Sequence, residues 1–372
     1  MISVFGSLVG PEEIQAVVEV MQSQWMGFGK KVDEFENDFM LKFGISNFAL
    51  VDSGSNALFL AIYLLDLPKG SHIIVPSFTW VSCAHAVLLA GHIPIFCDVD
   101  INTMNVTRKT IEDSLTLNTR AIMVVHYAGL PVEMDDIKQL GLPIIEDAAH
   151  AVASSYKGLP CGQIAELGIF SFDAVKNLTV GEGGGIASNN IELILKAKTL
   201  RYCGIGKSGF DASQTNASRK WWEYDISEPF IKMLPTNIAA AIGIEQIKKI
   251  DILQSTRKSI WDIYQNQLDG VGDLLLPCEA PEHSTHSYFT YCIRTSLRDE
   301  LATFLLKRGI YTTLRYHPLH LNSLYQQTHQ RLENSEMLNQ QALSIPLHPR
   351  LLTSDVCQIV DSIKDFYDNK PA

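Results

Sequence analysis

The chain has 372 residues, of which 46% are hydrophobic and 19% charged, and its formal net charge is -11. This composition is typical of a globular protein large enough for more than one domain, and it excludes disordered and fibrous classes. The negative charge, with no long run of Lys or Arg to offset it, argues against nucleic acid as a partner. The sequence also lacks the apolar run of about 18 residues that a membrane span needs and the basic and apolar parts of a secretory signal. We therefore expect a cytoplasmic protein that binds no membrane. Its seven scattered cysteines predict neither a disulfide framework nor a metal site.

Short apolar runs alternate with helical patterns from about residue 47 to residue 190. Six runs have the composition of buried strands: "FALV", "HIIV", "IPIF", "AIMVV", "LPII" and "ELGIF". Between them, "NALFLAIYLLDL", "VSCAHAVLLAG" and "DDIKQL" have helical spacing. Such a βαβ series predicts an α/β fold with a mostly parallel sheet and helices on both faces. The next helix, "IELILKAKTLRYCG", is expected to end at Gly204, and residues 204–235 follow it as a long functional loop.

The last third of the chain has the pattern of a smaller α+β domain. The stretch "TNIAAAIGIEQIKKIDILQSTRKSIWDIYQNQL" predicts a helix that bridges two domains. Beyond it, "HSYFTYCIRT" predicts a strand, and "RDELATFLLKRG" and "SDVCQIVDSIKDFY" predict helices. We therefore predict a large domain at residues 1–245 and a small domain at residues 246–372. Packing of the N-terminal segment on the small domain is left open.

Polar residues follow the predicted strands at the edge of the sheet where α/β proteins bind their ligands. Ser53, Gly54 and Ser55 open a helix after "FALV", where hydroxyls, backbone N–H groups and the positive helix end could hold a phosphate. A simple N-cap role for Ser53 or Ser55 is the alternative. Ser171 follows "ELGIF" at the same edge. These residues are the candidates for an anion site.

Four further residues near this edge carry chemistry that becomes specific only in combination. Asp147 ends an apolar strand and would favour a cationic partner, although a cap or turn would account for it alone. His150 is equally compatible with an interior histidine, and Trp80 with the core. Lys176 lies in "SFDAVKNLTVGEGGG", where lost solvation would lower its pKa and make it a nucleophile toward an aldehyde, whereas most single lysines are surface charges. Together with a phosphate site, these residues meet the requirements of pyridoxal phosphate (PLP).

The sequence resembles the DegT/DnrJ-type PLP-dependent aminotransferases, many of which aminate keto-sugars on nucleotides. The resemblance runs nearly end to end, from "WMGFGKKVDEFENDFMLKFG" to "YHPLH", and "IIEDAAHAV" and "GIFSFDAVKNLTVGEGGGIAS" stand in the family's order and spacing. It implies the aspartate-aminotransferase-like fold, known as fold type I. It also implies homodimers whose active sites are shared between the subunits.

The resemblance also assigns roles to individual residues. Lys176 would hold the cofactor aldehyde covalently and move protons, Asp147 would keep the pyridine nitrogen protonated, and His150 would lie near the ring hydroxyl. Trp80 would stack on the ring, and Glu182 would shape the turn beside the lysine. The residues implied to hold the phosphate are Gly54, Ser55 and Ser171.

Two departures from the family pattern concern the substrate side. Relatives commonly carry an Asn-x-Arg pattern before "AAAIG", supplied by the partner subunit, where this chain has Lys232 and Leu234. Lys232 would then reach the partner's site as a point charge. Arg315 in "LRYHPLH" stands where many relatives carry His and alters the substrate pocket. The residues expected to serve an anionic substrate are Lys30, Lys31, Arg201, Arg219, Lys232, Arg315 and His320.

The predicted function is that of a homodimeric PLP aminotransferase that cycles through pyridoxamine phosphate (PMP). L-Glutamate would donate the amino group to a keto-sugar in nucleotide-linked form, for the synthesis of surface polysaccharide, including lipopolysaccharide, or of secondary metabolites. A sugar 3-dehydratase is one alternative, but such enzymes typically replace the lysine by His, and Lys176 is retained. A keto-cyclitol or an aminobenzoate precursor is another acceptor that the fold can host. A non-catalytic PLP-binding regulator is the last hypothesis, against which Lys176 and Asp147 together argue.

Overall fold

The structure is a computed structural model that describes residues 1–205, 220, 222–325 and 331–369. Its main sheet has the strand order β1-β9-β8-β5-β4-β2-β3. Neighbours pair in parallel except at β9, which runs antiparallel between β1 and β8. The strands are β1 (Phe48–Val51), β2 (His72–Pro76), β3 (Ile93–Cys97), β4 (Thr119–Val125), β5 (Ile144–Asp147), β6 (Ser155–Tyr156), β7 (Leu159–Pro160), β8 (Leu167–Ser171), β9 (Gly184–Ala187), β10 (Ser284–Thr285), β11 (Tyr291–Arg294) and β12 (Ala342–Ile345).

The predicted α/β class and mostly parallel sheet are confirmed, and the six predicted apolar runs form β1 to β5 and β8. The sequence did not predict β9, because two of its four residues are glycines, which are depleted in strands. Close packing requires glycine at these two positions. A Cβ atom on Gly184 would lie 2.3 Å from the carbonyl carbon of Ser53, and one on Gly185 would lie 2.1 Å from the Phe48 ring.

Helices cover the sheet, and most of those with a clear apolar period were predicted. They are α1 (Pro11–Gln22), α2 (Lys30–Phe43), α3 (Gly54–Leu64), α4 (Ser82–Leu89), α5 (Arg108–Glu112), α6 (Met134–Lys138), α7 (Ile191–Leu200), α8 (Asn237–Leu268), α9 (Arg298–Lys307), α10 (Glu333–Gln341) and α11 (Thr353–Asp368). The predictions did not include α1, α2, α5 or α10. No helix in the described ranges combines the length and apolarity required to cross a lipid bilayer.

The predicted strand "HSYFTYCIRT" is wrong over its first half, because only Tyr291–Arg294 forms β11. Tyr288 has a φ of 51°, which interrupts extended backbone. The N–H groups on either side of it donate to other partners: Ser287 N to Gly129 O at 3.3 Å and Phe289 N to Ala128 O at 2.8 Å. This segment therefore joins the loop after β4 and brings Phe289 toward the edge of the main sheet.

The long helix α8 packs against two different apolar clusters. Its first half contributes Ala240 and Ile244 to a cluster that lies against the main sheet. Its second half contributes Trp261 and Tyr264 to a cluster shared with β11, β12 and α11. The predicted division at residue 245 falls inside α8, and Ile247 and Ile250, which follow it, still belong to the first cluster, so the boundary stays a prediction.

The N-terminal residues pack beside α9 rather than on the main sheet. Ile2 N donates to Gly309 O at 2.7 Å, and Tyr311 N donates to Ile2 O at 2.9 Å. His348 Nε2 lies 3.1 Å from Ser3 O. Residues 1–5, the last of which is Phe5, thus lie against the C-terminal part of the chain.

A buried carboxylate ties α2, β1 and α7 together. Glu36 is 2% exposed and accepts hydrogen bonds from Leu50 N at 2.9 Å and Lys198 Nζ at 2.6 Å. It also accepts from Arg201, which donates in addition to Leu50 O at 2.6 Å. Arg201 is itself buried, so the attraction between the two charges offsets part of the desolvation cost of burying them.

We predict that Glu36→Ala lowers the free energy of unfolding by about 3–5 kcal/mol, because it leaves the Arg201 guanidinium buried without its carboxylate. Chemical denaturation followed by tryptophan fluorescence measures the loss. Glu34→Ala is the matched control, because Glu34 lies on the same helix in an exposed pair with Lys31, which is worth less than about 1 kcal/mol. Equal losses in the two variants would contradict the assignment.

Candidate active site

A cavity of about 370 Å³ opens at the carboxyl ends of β5 and β8, beside the first turn of α3. The segment 313–316 forms its opposite wall, and Phe5 contributes from the N-terminus. The structure brings most of the candidate residues together here. Those that line the cavity are Gly54, Ser55, Trp80, Asp147, His150, Ser171, Lys176, Glu182 and Arg315.

The first turn of α3 offers an anion cradle. Ser53 is the N-cap, since its hydroxyl accepts from Asn56 N at 3.2 Å, and Ser55 is left to face the cavity with its Oγ 2.7 Å from Ser82 Oγ. A Cβ atom on Gly54 would lie 2.8 Å from the Cβ atom of Ser171, so a side chain would fill the space between α3 and β8. The free N–H groups and hydroxyls at this helix end suit a phosphate.

Asp147 ends β5 with its carboxylate held in place. Oδ1 accepts from Ala149 N at 2.9 Å, and Oδ2 accepts from Cys83 Sγ at 3.1 Å. Burial and the charge of Asp147 raise the pKa of the Cys83 thiol well above its usual value, so the thiol remains a donor. The side chain of Asp147 is 5% exposed, and its remaining lone pairs can accept from a protonated nitrogen in the cavity.

Lys176 is the amine of this cavity. Partial burial and the nearby Arg315 lower its pKa to about 8, against the opposing effect of Asp147 and Asp173. The Nζ atom lies 4.8 Å from the centroid of the Phe289 ring. About one tenth of Lys176 is therefore uncharged at pH 7, far more than for an ordinary lysine, and that fraction is available as a nucleophile.

His150 forms the floor beside Lys176 as a neutral imidazole. Its ring stacks on Phe289 with centroids 4.0 Å apart, and Nε2 lies 3.0 Å from the Tyr316 hydroxyl. Burial, together with the charges of Lys176 and Arg315, lowers the pKa of His150 well below its usual value. Its Nδ1 is buried without a hydrogen-bond partner among the described residues.

Trp80 forms the more open side of the cavity. Its side chain is 54% exposed, and its ring centroid lies 5.7 Å from that of Tyr316. An aromatic face of this size is free to cover a planar ligand. Stacking of Trp80 on a cofactor ring remains a prediction.

Of the other candidate residues, those that the structure describes do not line the cavity. Lys31 pairs with Glu34 on α2 at 2.7 Å, and Arg201 is held by Glu36. His320 is buried, with Nδ1 2.6 Å from Ser77 Oγ. The remaining positions are Lys30, which is the first residue of α2, Lys232, which is exposed beside Tyr202, and Arg219, which lies outside the described residues.

Sequence reasoning missed four side chains that shape the site: Phe5, Cys83, Phe289 and Tyr316. Tyr316 lies inside the motif "YHPLH", next to Arg315, so the motif itself was a signal for it. Cys83 lies four residues after Thr79, one helical turn along the segment that follows β2, and was interpreted only as a core thiol. Nothing in the local sequence of Phe5 or Phe289 indicates proximity to Lys176.

The chain was compared with known families and structures. Residues 8–364 match the model of the DegT/DnrJ/EryC1/StrS aminotransferase family. A dTDP-4-dehydro-2,3,6-trideoxy-D-glucose 4-aminotransferase of Saccharopolyspora spinosa is 34% identical over 98% of this chain and 96% of its own. The aminotransferase TlmJ from Streptoalloteichus hindustanus has a TM-score of 0.92 at 34% identity, covering 98% of both chains. Spr1654 from Streptococcus pneumoniae, in its PLP form, has a TM-score of 0.90 at 26% identity, covering 98% of both chains. A PMP form of Spr1654 also matches, and PLP and PMP are the cofactor forms used in this family.

We predict that the apo protein reacts with PLP at a rate that rises with pH to a midpoint near 8, because the uncharged Lys176 amine is the nucleophile and its pKa is lowered to about 8. The rate of appearance of the visible cofactor band, measured by stopped flow across pH, gives the midpoint. Nα-Acetyl-lysine is the control and should show the midpoint of an ordinary lysine. A protein midpoint equal to that of the control would contradict the assigned environment.

Proposed function

Since this chain belongs to the DegT/DnrJ/EryC1/StrS aminotransferase family, we propose that it transfers an amino group from L-glutamate to a nucleotide-linked keto-sugar, with PLP bound at Lys176. The observation that carries this proposal is the meeting of Lys176, Asp147 and the α3 cradle in one cavity. PLP chemistry requires an amine of lowered pKa, a fixed carboxylate and an anion site. A purely structural role would not require all three in one cavity.

The residues present fit PLP in size and in chemistry. The cradle at Gly54 and Ser171 is open only because a glycine stands at position 54. Ser55 and Ser171 would bind the phosphate with the first N–H groups of α3, and Trp80 would cover one face of the ring. Asp147 has the buried, negatively charged carboxylate that a protonated pyridine nitrogen needs. When bound, PLP supplies an electron sink for the carbon that carries the amino group.

The protein's own residues supply attachment, orientation and proton transfer. Lys176 would bind the cofactor aldehyde and then, once released as a free amine, take a proton from the donor carbon and return it to the cofactor side. Its pKa of about 8 suits both directions of that transfer at neutral pH. His150 would hold its place through the Tyr316 hydroxyl and offer the buried Nδ1 to a hydrogen-bond donor.

The nucleotide-linked acceptor is supported by the S. spinosa relative, whose name specifies a dTDP-linked keto-sugar. A dehydratase is disfavoured by Lys176 itself, which is the residue that the sugar 3-dehydratases replace. We further propose that the enzyme acts in the cytoplasm, in amino-sugar synthesis.

We also propose a homodimer in which Lys232 reaches the partner's site. Lys232 is exposed, and four large apolar side chains precede it on the surface, with exposed fractions of 55–61%. They are Trp222, Tyr224, Ile226 and Ile231. A surface of this kind is expected at a subunit contact.

We predict that Asp147→Asn keeps PLP attached but lowers kcat by on the order of 100-fold, because a neutral amide no longer favours a protonated pyridine nitrogen. The visible band of the holoenzyme is recorded before and after L-glutamate. In the wild type the band should bleach to the PMP spectrum, and in Lys176→Ala the lysine-bound band should be absent. Unchanged kcat in Asp147→Asn, or a wild type that carries PLP and transfers no amino group, would refute the respective assignments.

We predict that mixed dimers of Lys176→Ala with Lys232→Ala regain activity that neither variant has alone. One of the two sites then combines an intact Lys176 with an intact Lys232 from the other subunit. Random mixing should restore about one quarter of the wild-type activity. Heterodimers that form, as judged by affinity tags of two kinds, and yet stay inactive would contradict a shared site.

A further inference from the structure

Arg315 is a buried cation with unused hydrogen-bonding capacity. It is 6% exposed and lines the cavity. Within the described ranges it forms no ion pair with a carboxylate, and its Nε has no hydrogen-bond partner. Its side-chain contact is a long one, from Nη1 to the Tyr316 hydroxyl at 3.5 Å. A guanidinium has five N–H donors, so most of those of Arg315 have no acceptor among the described residues.

Two aromatic rings hold this guanidinium in place. Its Cζ lies 4.1 Å from the centroid of Phe5 and 4.7 Å from that of Phe289. Phe5 is brought there by the N-terminal residues that pair with residues 309–311. Cation–π contacts fix the plane of an arginine but accept none of its hydrogen bonds. The cation is therefore oriented and still needs an anionic partner to offset its lost hydration.

Arg315 and the Lys176 amine share one aromatic neighbour, Phe289. Lys176 Nζ and Arg315 Cζ both lie within contact distance of the same Phe289 ring, at 4.8 and 4.7 Å. The charge of Arg315 is also the second largest cause of the lowered pKa of Lys176. A ligand joined at Lys176 would carry its neighbouring substituents to the guanidinium.

We infer that Arg315 binds the α-carboxylate of the amino donor. In an α-amino acid the carboxylate is bonded to the same carbon as the reacting nitrogen, so it reaches a cation beside Lys176. In a nucleotide-linked sugar the charges lie on the diphosphate, away from a keto carbon elsewhere on the ring. Arg315 thus selects α-amino acids over simple amines. This inference rests on the proposed transaminase function of the same cavity.

An inert carboxylate tests the anion site without any turnover. Propionate is titrated into the holoenzyme, and binding is followed by calorimetry and by the shift of the visible cofactor band. Arg315→Gln should weaken propionate binding about 10- to 100-fold, because a hydrogen bond to a charged group is lost, and Arg315→Lys should fall between. Arg120→Gln is the control, since Arg120 is exposed at the start of β4 and should bind propionate as the wild type does. Equal affinity in the wild type and Arg315→Gln would overturn the inference.

Donor discrimination in the wild type tests which carboxylate is bound, even if an Arg315 variant fails to fold. L-Glutamate is compared with its α-amide and its γ-amide in the conversion of the PLP form to the PMP form. The α-amide should react about 10- to 100-fold less well, and Arg315→Gln should remove that difference. A penalty confined to the γ-amide, or an Arg315→Gln defect confined to the acceptor half of the reaction, would overturn the inference. A wild type that reacts with no amino acid would overturn the proposed function, and the propionate titration would still decide the carboxylate site.

Discussion

The close passage of β9 past the start of α3 is the constraint on which the site depends. Gly184 lies so near Ser53 that a Cβ atom would overlap its carbonyl group. This contact places the antiparallel strand between β1 and β8, and with it the loop that carries Lys176. The amine and the anion cradle come from residues more than a hundred positions apart in the chain. They meet because Gly184, which has no side chain, lets the backbone of β9 lie directly against the backbone at Ser53.

The charges in the cavity are arranged so that few of them cancel within the protein. Asp147 is engaged by a thiol and a backbone N–H group rather than by a cation, and Lys176 and Arg315 lie on the same ring without an ion-pair partner in the described residues. Burying such groups separately is costly in the empty protein. A ligand with a cationic ring nitrogen, a phosphate and a carboxylate would supply each of these groups with a partner of opposite charge. Ligand binding would therefore offset the desolvation cost of burying them.

Residues next to a motif could be predicted from the sequence, and residues brought in from a distance could not. The strand ends gave Gly54, Asp147 and Ser171 because parallel strands all finish at one edge of the sheet. Family resemblance gave Lys176 its role. Arg201, by contrast, looked like a substrate cation, whereas the structure pairs it with Glu36 in the interior.

Two aromatic residues of the site could not be predicted from the sequence around them. Phe289 reaches Lys176 through a loop interrupted by a positive φ, and Phe5 reaches the cavity through the N-terminal residues. Their sequence context is that of ordinary core residues. Single-sequence patterns report which face of an element is buried, and they do not report what lies on the other side of that face.

The strand order also sets a sequence of events during synthesis of the protein. Among the described residues, β1 pairs in the main sheet with β9 alone, so Phe48 cannot pair until Ala187 has been synthesised. As the chain leaves the ribosome from its N-terminus, β2 to β5 can assemble first, while β1 still lacks its strand partner. The anion cradle and the reactive lysine therefore mature in the same late step. A partly made chain does not expose a finished half of the catalytic site.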